Sequence, residues 1–496
     1  MTFHRTVVGV LALAAYAPLA RAGEQKPPQS APVAVVPGSE LPQYFPCVAW
    51  NAGAKAWLAV WEEGLPTGDE TAHDGRAQDI YAVRVSADGK VLDPKGIPIC
   101  TAKDFQCRPV VASDGKDFLV AWHDLRSGKA WDVYAARVSG EGKVLDADGF
   151  LVAGGGENQC LPDLVFGGGS YYAAWLDMRH YPEYRVYGAR ISSAGKVLDA
   201  SGIELIRTVT DDDLEKWRKA SFAAGKKGQG WHNHASYPGA PSLATNGKVH
   251  VVTSWTVVFG QGRHGTKKEV YQLRRVDAAT GRPAAGQEPY AVTKAAGKAG
   301  WARSLGHQKI RLQHAAVWDK GFLTVGYLDF RGFNSNGTGV RVASFLGPDG
   351  APGGAMPKVR LIVPEPVQVG LGYRSRGICP TTLGVAWDGK RALHVADRYI
   401  QQAPRGTGQK GDYDVIGIFI NKEGKRISNL ASGATVEPDK DVKSTGSVPP
   451  FMIASGESVQ AAPAVAAGPV GSFLVVWQEE ALGKDSRVMA RLVRAK

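Results

Sequence analysis

Residues 107–146 read CRPVVASDGKDFLVAWHDLRSGKAWDVYAARVSGEGKVLD, and residues 160–199 read CLPDLVFGGGSYYAAWLDMRHYPEYRVYGARISSAGKVLD. Set above one another at this 53-residue step, they align Cys107 with Cys160 and Pro109 with Pro162. They also align Trp122-His-Asp124-Leu-Arg126 with Trp175-Leu-Asp177-Met-Arg179, and Gly142-Lys-Val-Leu-Asp146 with Gly195-Lys-Val-Leu-Asp199. Several coincidences at one offset mark a repeated structural unit, and a period of about 50 residues with several strand-like runs per unit is the signature of propeller blades. In the first copy these runs are Val110 to Ala112, Phe118 to Trp122, Val133 to Val138 and Phe150 to Val152. Short Gly/Asp turns between β-branched and aromatic runs predict antiparallel strands joined as hairpins.

Looser copies follow. Tyr327-Leu-Asp329-Phe-Arg331 and Ala396-Asp397-Arg398 keep the acid and the base, while Trp61, Trp255 and Trp477 keep the aromatic alone. Third-strand copies recur at Ile80, Val133, Val186, Val270, Val340, Val415 and Val488, which predicts seven units. The last unit ends after its third strand, and the chain opens with an unpartnered strand, Pro32-Val-Ala-Val-Val36. The expected fold is therefore all-β: a seven-bladed β-propeller of four-stranded antiparallel blades, with the N-terminal strand closing the last blade and leaving only short edges. The blades are expected near 45–100, 106–153, 159–207, 235–292, 311–363, 377–437 and 460–496 plus 32–36, as one domain over 31–496 after a linker at 23–30.

Composition fits a turn-rich globular chain: 496 residues, 44% hydrophobic, 21% charged, with 61 Gly and 29 Pro, which argues against disorder, collagen and an extended coiled coil. Residues 1–22 have a basic Arg5, an apolar run from Val7 to Leu19 and the small-residue end Ala20-Arg21-Ala22, the pattern of a secretory signal. The expected location is periplasmic or secreted, with no transmembrane segment in the mature chain and a monomeric state. Five cysteines (Cys47, Cys100, Cys107, Cys160 and Cys379) permit two disulfides in an exported protein; Cys100 and Cys107 flank a short connection that a disulfide would close, and the alternative is buried, reduced thiols. The net charge of +12, or +10 without Arg5 and Arg21, favours acidic partners, a protein or an anionic glycan. Export and the lack of any basic-aromatic module argue against nucleic acid.

In such a blade the first-to-second and third-to-fourth turns share one face, and here they are tight. The opposite, long-loop face collects the insertions, including a helical one near 208–238, and with them the candidate chemistry. Trp231-His232-Asn-His234 places two histidines at i and i+2, which in an extended segment face the same way, suiting two ligands of a divalent metal or a catalytic base with an electrophile. No cofactor is otherwise expected. His73, Arg76, His180, Tyr181, Arg263, His264, Trp301, Arg303, His307, Tyr373, Arg374 and Arg376, with Trp231, supply aromatic and cationic groups suited to a sugar ring and its carboxylate. The recurrent Asp124, Arg126, Asp177, Arg179, Asp329, Arg331, Asp397 and Arg398 read as structure, since a group that every blade carries answers a need of every blade; catalysis breaks the symmetry. The Gln-x-x-Pro motifs from Gln43, Gln106, Gln159 and Gln460 read the same way, and His250 and His394, inside strands, read as core residues.

Trp-x-Asp-x-Arg, Asp132-Val-Tyr-Ala-Ala-Arg137 and Gly-Lys-Val-Leu-Asp together resemble the repeats of bacterial secreted seven-bladed β-propeller proteins, closely over the first three units and faintly over the rest. That resemblance implies the fold. Val85-Ser-Ala-Asp-Gly-Lys90 is similar to the Asp-box turn of sialidases, but is one residue short and lacks its aromatic end; no sialidase arginine triad can be carried over. Two functions stay open. One is an exported propeller that binds a protein or glycan on its long-loop face; the other is a lyase or hydrolase of anionic polysaccharide, with His232 or His234 as base and Arg303, Arg374 or Arg376 neutralising a uronate.

Overall fold

Side chains alternate across a strand, so Phe118–Asp124 sends Phe118, Val120 and Trp122 to one side and Leu119 and Ala121 to the other; all five are fully buried. A strand covered on both sides belongs to a sheet packed between two others. The computed structural model describes residues 30–36, 39, 41–64, 78–181, 183–207, 237–238, 240–259, 267–283, 290–291, 309–319, 321–329, 337–351, 360–369, 383–399, 413–423, 426–429, 434–436, 451–455, 458–469, 471–480 and 485–495. The strands among these residues form seven antiparallel sheets that follow one another along the chain.

Sheet 1 comprises Gln43–Asn51, Ala56–Gly64, Gln78–Ser86 and Ile97–Cys100. Sheet 2 comprises Gln106–Ser113, Phe118–Asp124, Asp132–Val138 and Phe150–Ala153, and sheet 3 Gln159–Gly167, Ser170–His180, Glu183–Ile191 and Ile203–Ile206. In sheet 4, Tyr237–Pro238 and Ser242–Thr245 both pair with Val249–Phe259, followed by Lys267–Asp277 and Tyr290–Ala291. Sheet 5 runs from Lys309–Trp318 to Arg360–Val369. Sheet 6 departs from expectation: the sequence places its end near 437, but Phe451–Ala454 also pairs with its third strand, Tyr413–Asn421. Part of the stretch between the sixth and seventh expected blades is thus sheet. Sheet 7 joins Val459–Ala467, Ser472–Glu480 and Ser486–Arg494 to the N-terminal Val33–Ala34.

The first strands of successive sheets touch in turn, and Val459–Ala467 touches both Leu383–Trp387 before it and Gln43–Asn51 of sheet 1. This is the arrangement of a β-propeller, with first strands innermost. The cores lie between sheets. Leu119, Ala121, Val133 and Ala135 pack on Tyr171, Ala173 and Trp175 of the next sheet, and Trp57 and Trp61 share a core with Leu474, Val476 and Val488 of sheet 7.

Polar contacts also cross between sheets. Arg84 forms a two-pronged pair with Asp93 (Nε–Oδ2 2.9 Å, Nη2–Oδ1 2.8 Å) and donates from Nη1 to the Gly140 carbonyl of the next sheet at 3.2 Å. Arg137–Asp146 and Arg190–Asp199 repeat the pair, and Arg190 Nη1 reaches the Ala279 carbonyl of sheet 4 at 2.8 Å. The cysteines take the reduced alternative: none of Cys47, Cys100, Cys107 and Cys160 is in a disulfide. Cys107 donates to Gln78 Oε1 (3.1 Å) while Cys100 accepts from Arg126 Nη2 (3.1 Å), so neither bridges the other. Cys379 lies outside the described residues, and none of their helices is long and apolar enough to cross a membrane.

Candidate functional site

On the long-loop side, each innermost strand of sheets 1, 2, 3 and 7 begins with a bulge at Gln-x-x-Pro. The residue before each proline, Phe45, Arg108, Leu161 and Ala462, has left-handed backbone, with φ of 48°, 55°, 52° and 52°. That conformation is costly for a residue with a side chain. The preceding sheet supports it: the Arg108 amide donates to the buried Glu62 carboxylate (2.8 Å), and the Leu161 amide donates to His123 Nδ1 (3.2 Å). The Arg108 guanidinium lies 3.4 Å from the centre of the Phe45 ring. Burial, reinforced by the nearby Arg108, pulls the His123 imidazole down to about 3, so it is a neutral acceptor at ordinary pH.

Trp-x-Asp-x-Arg closes into a compact unit at the end of the second strand. Trp122 Nε1 donates to Asp124 Oδ2 at 2.8 Å, and Arg126 grips the same carboxylate through Nε (2.8 Å), Nη2 (2.6 Å) and its backbone amide (2.8 Å). Trp175, Asp177 and Arg179 repeat this. Each arginine also lies over a tyrosine ring, Arg126 on Tyr134 at 4.0 Å and Arg179 on Tyr187 at 4.2 Å. Beyond the carboxylate each binds a carbonyl of its own sheet, Asp148 or Ser201. The reading that Trp61 and Trp477 keep the aromatic alone is corrected: Trp61 Nε1 donates to Glu63 at 2.9 Å and Trp477 Nε1 to Glu479 at 3.4 Å. A glutamate two residues on fills the aspartate's place. Asp397 is buried at the equivalent point of sheet 6; the side chains of Asp329 and Arg398, and all of Arg331, lie outside the description.

Five of the positions at which sheet 3 departs from the repeat lie together. His180 and Tyr181 stand where sheet 2 has Ser127 and Gly128, and Arg207 where it has Gly154. Arg185 replaces Asp132 and Asp79, and Glu204 replaces Leu151 and Pro98. Three strands and two loops bring these residues to one edge of the sheet. His180 Nε2 lies 2.9 Å from the Tyr187 hydroxyl, the two rings nearly parallel at 17°. That hydroxyl donates to Glu204 Oε2 at 3.4 Å. Arg185, inside the sheet, and Arg207, at its rim, both hold Glu204, each at 2.7 Å. Burial opposes ionisation of Glu204, but hydrogen bonds from Arg207 and Arg185 outweigh it and hold the carboxyl below its usual range. Burial, with Glu204 beside it, raises the Tyr187 hydroxyl. Tyr181 is 45% exposed at the rim.

Sequence reasoning found His180 and Tyr181 and missed Arg185, Glu204 and Arg207, although comparing the units position by position reveals all three. His250 and His394 are buried; His250 Nδ1 is 2.9 Å from Thr245 Oγ1 and stacks on Tyr172. His73, Arg76, Trp231, His232, His234, Arg263, His264, Trp301, Arg303, His307, Tyr373, Arg374 and Arg376 lie outside the described residues, as does the helical insertion apart from the strand Tyr237–Pro238. Among the described residues, no group of three or more His, Cys, Asp or Glu is placed to hold a metal ion.

No family model and no curated protein matches the chain. Among solved structures it is similar to a protein of unknown function from Dyadobacter fermentans, with 12% identity and a TM-score of 0.43 over 95% of this chain and 99% of the other. It is also similar to the β-propeller domain of the Trilobed protease from Pyrococcus furiosus (9% identity, TM-score 0.42, 92% and 98% covered). The α-L-arabinanase of Penicillium chrysogenum complexed with arabinobiose gives 11% identity and a TM-score of 0.41 over 94% and 98%.

Proposed function

We propose that the protein is an exported seven-bladed β-propeller, closed by its N-terminal strand, that binds an anionic glycan on its long-loop face around His180, Tyr181 and Arg207. One observation carries this reading: His180, Arg185, Glu204 and Arg207, all absent from the matching positions of sheet 2, converge on a single edge and are linked there, through Tyr187, by hydrogen bonds and ion pairs. A feature shared by all sheets answers to folding, whereas one confined to a single sheet calls for another reason. The chemistry suits a sugar acid. Tyr181 offers an exposed aromatic surface, and arginine forks match carboxylates, with the net charge of +12 drawing polyanions toward the surface.

The test is binding of the purified chain to polygalacturonate, dextran sulfate and uncharged dextran at low and high salt. Retention of the polyuronate, weakened by salt and by Tyr181→Ala or His180→Ala, is the expected result. Equal affinity for dextran, or no affinity for either polyanion, ends the reading.

A further inference from the structure

Glu204 lies between two arginines at the end of sheet 3. Its Oε1 accepts from Arg207 Nε at 2.7 Å; its Oε2 accepts from Arg185 Nη1 at 2.7 Å, from Arg207 Nη2 at 3.3 Å and from the Tyr187 hydroxyl at 3.4 Å. The two arginines differ in access. The Arg185 side chain is 3% exposed and that of Arg207 is 40% exposed, with Glu204 between them at 29%. Compared with sheet 2, the exchanges Asp132 to Arg185, Leu151 to Glu204 and Gly154 to Arg207 make these three positions together two charge units more positive. Glu204 is the only acid among the three, and the one that both arginines hold.

We propose that Glu204 is a built-in counter-ion that stands in for the ligand's carboxylate: it aligns the Arg207 fork in the unbound protein, and a uronate carboxylate of the glycan competes with it for that fork. This rests on the anionic-glycan reading above and adds its mechanism. The asymmetry of burial decides which contact yields. Arg185 is enclosed, and stripping it of its carboxylate leaves a buried charge uncompensated, so the Arg185–Glu204 contact persists. Arg207 is at the rim, where an ion pair is weak and water or a second carboxylate can replace one partner. A planar guanidinium binds carboxylates through two parallel hydrogen bonds, and Arg207 already presents that geometry to Glu204. Glu204 therefore lowers affinity while fixing orientation, and favours ligands whose carboxylate reaches the rim beside Tyr181.

The test is a gain of function. Glu204→Gln in the full chain keeps the size of the side chain and an acceptor for Arg185 but removes the charge. It is expected to bind polygalacturonate roughly two- to fivefold tighter than wild type, the factor of one partly exposed ion pair, with the gain shrinking as salt rises. Adding Arg207→Gln to Glu204→Gln must abolish the gain. Glu204→Asp, which keeps a charge for Arg185 but withdraws it from Arg207, is expected to give a smaller gain and serves if Glu204→Gln fails to fold. Folded Glu204→Gln and Glu204→Asp proteins that bind no tighter than wild type overturn the counter-ion role. If Tyr181→Ala and Arg207→Gln bind like wild type, the site reading itself falls; if they weaken binding while neither Glu204 variant tightens it, the counter-ion role alone falls.

Discussion

A Cβ atom on Gly142 would stand 2.7 Å from Arg84 Nε of the preceding sheet, so near that the Asp93-bound guanidinium would have to shift, and Gly142 has a φ of +87°. The Arg84–Asp93 pair therefore packs on a turn where a side chain would add crowding to backbone strain. Gly115, in another tight turn, has a similar φ of +91° but nothing within 4 Å of its Cβ position. Gly142→Ala is expected to cost about 2–3 kcal/mol and Gly115→Ala about 1 kcal/mol, since only the first adds a clash to the backbone strain. Urea unfolding of the two variants measures the difference; equal losses would remove the inter-sheet contact from the account.

Asp124 is fully buried and carries both Trp122 and Arg126. Asp124→Ala leaves the guanidinium without its partner and is expected to cost about 3–5 kcal/mol. Asp124→Glu, which borrows the chemistry that Glu63 supplies in sheet 1, is expected to cost less. Chemical denaturation of both variants checks the order.

Stability should respond to pH in two directions. The hydrogen bond from Arg137 holds the Asp146 carboxyl below its usual range, against the opposing effect of burial. Its contribution is present above the ordinary carboxylate pKa of about 4 and is lost as pH falls through the depressed value. Asp163 is the reverse: burial pushes it up to about 6, only partly offset by the Leu243 and Leu164 amides at 2.6 and 2.8 Å. Its contribution is full below about pH 4 and is lost as pH rises through about 6. Unfolding curves between about pH 3 and about pH 8 should lose their acid limb in Asp146→Asn and the decline between about pH 4 and 7 in Asp163→Asn. A decline unchanged in Asp163→Asn would assign it elsewhere.

Burial pushes the Cys47 and Cys100 thiols up to about 11, which leaves little thiolate at neutral pH. Both should react slowly with a thiol reagent in the native protein. After unfolding without reductant, Cys47, Cys100, Cys107 and Cys160 should all react, since none is in a disulfide. A requirement for reductant at any of the four would contradict their arrangement.

The N-terminal segment meets sheet 7 through Val33 opposite Ala490, Ala34 opposite Met489, a hydrogen bond from the Val35 amide to the Val488 carbonyl at 3.1 Å, and the Ser30 hydroxyl on Leu492. Deleting residues 30–36 exposes the edge of Ser486–Arg494 and is expected to cost roughly 3 kcal/mol, with added self-association. Thermal unfolding and sizing chromatography test this, and a deletion that melts like wild type would show that the segment does not close the ring.

Turns and burial patterns are local properties, so the 53-residue step from Trp122 to Trp175 was enough to locate the strands of sheets 2 and 3 and the tight turns between them. The separation of repeated from unrepeated residues was legible too, since Ser127 against His180 and Leu151 against Glu204 can be compared without coordinates. What could not be read was any property set by register or by distance between remote segments. Glu63 takes the place of an aspartate because its extra methylene still reaches Trp61 Nε1, and Phe451–Ala454 joins sheet 6 because Tyr413–Asn421 leaves an edge for it.

The amino-acid sequence by itself determined that this chain is all-β and built of repeated antiparallel units, because side-chain alternation and turn chemistry act over a few residues. Tertiary structure alone decided that Cys100 and Cys107 stay apart as thiols, and that His180, Arg185, Glu204 and Arg207 meet at one edge of sheet 3. Hydrogen bonds and ion pairs act over about 3 Å, and only the folded chain brings groups from different strands within that range.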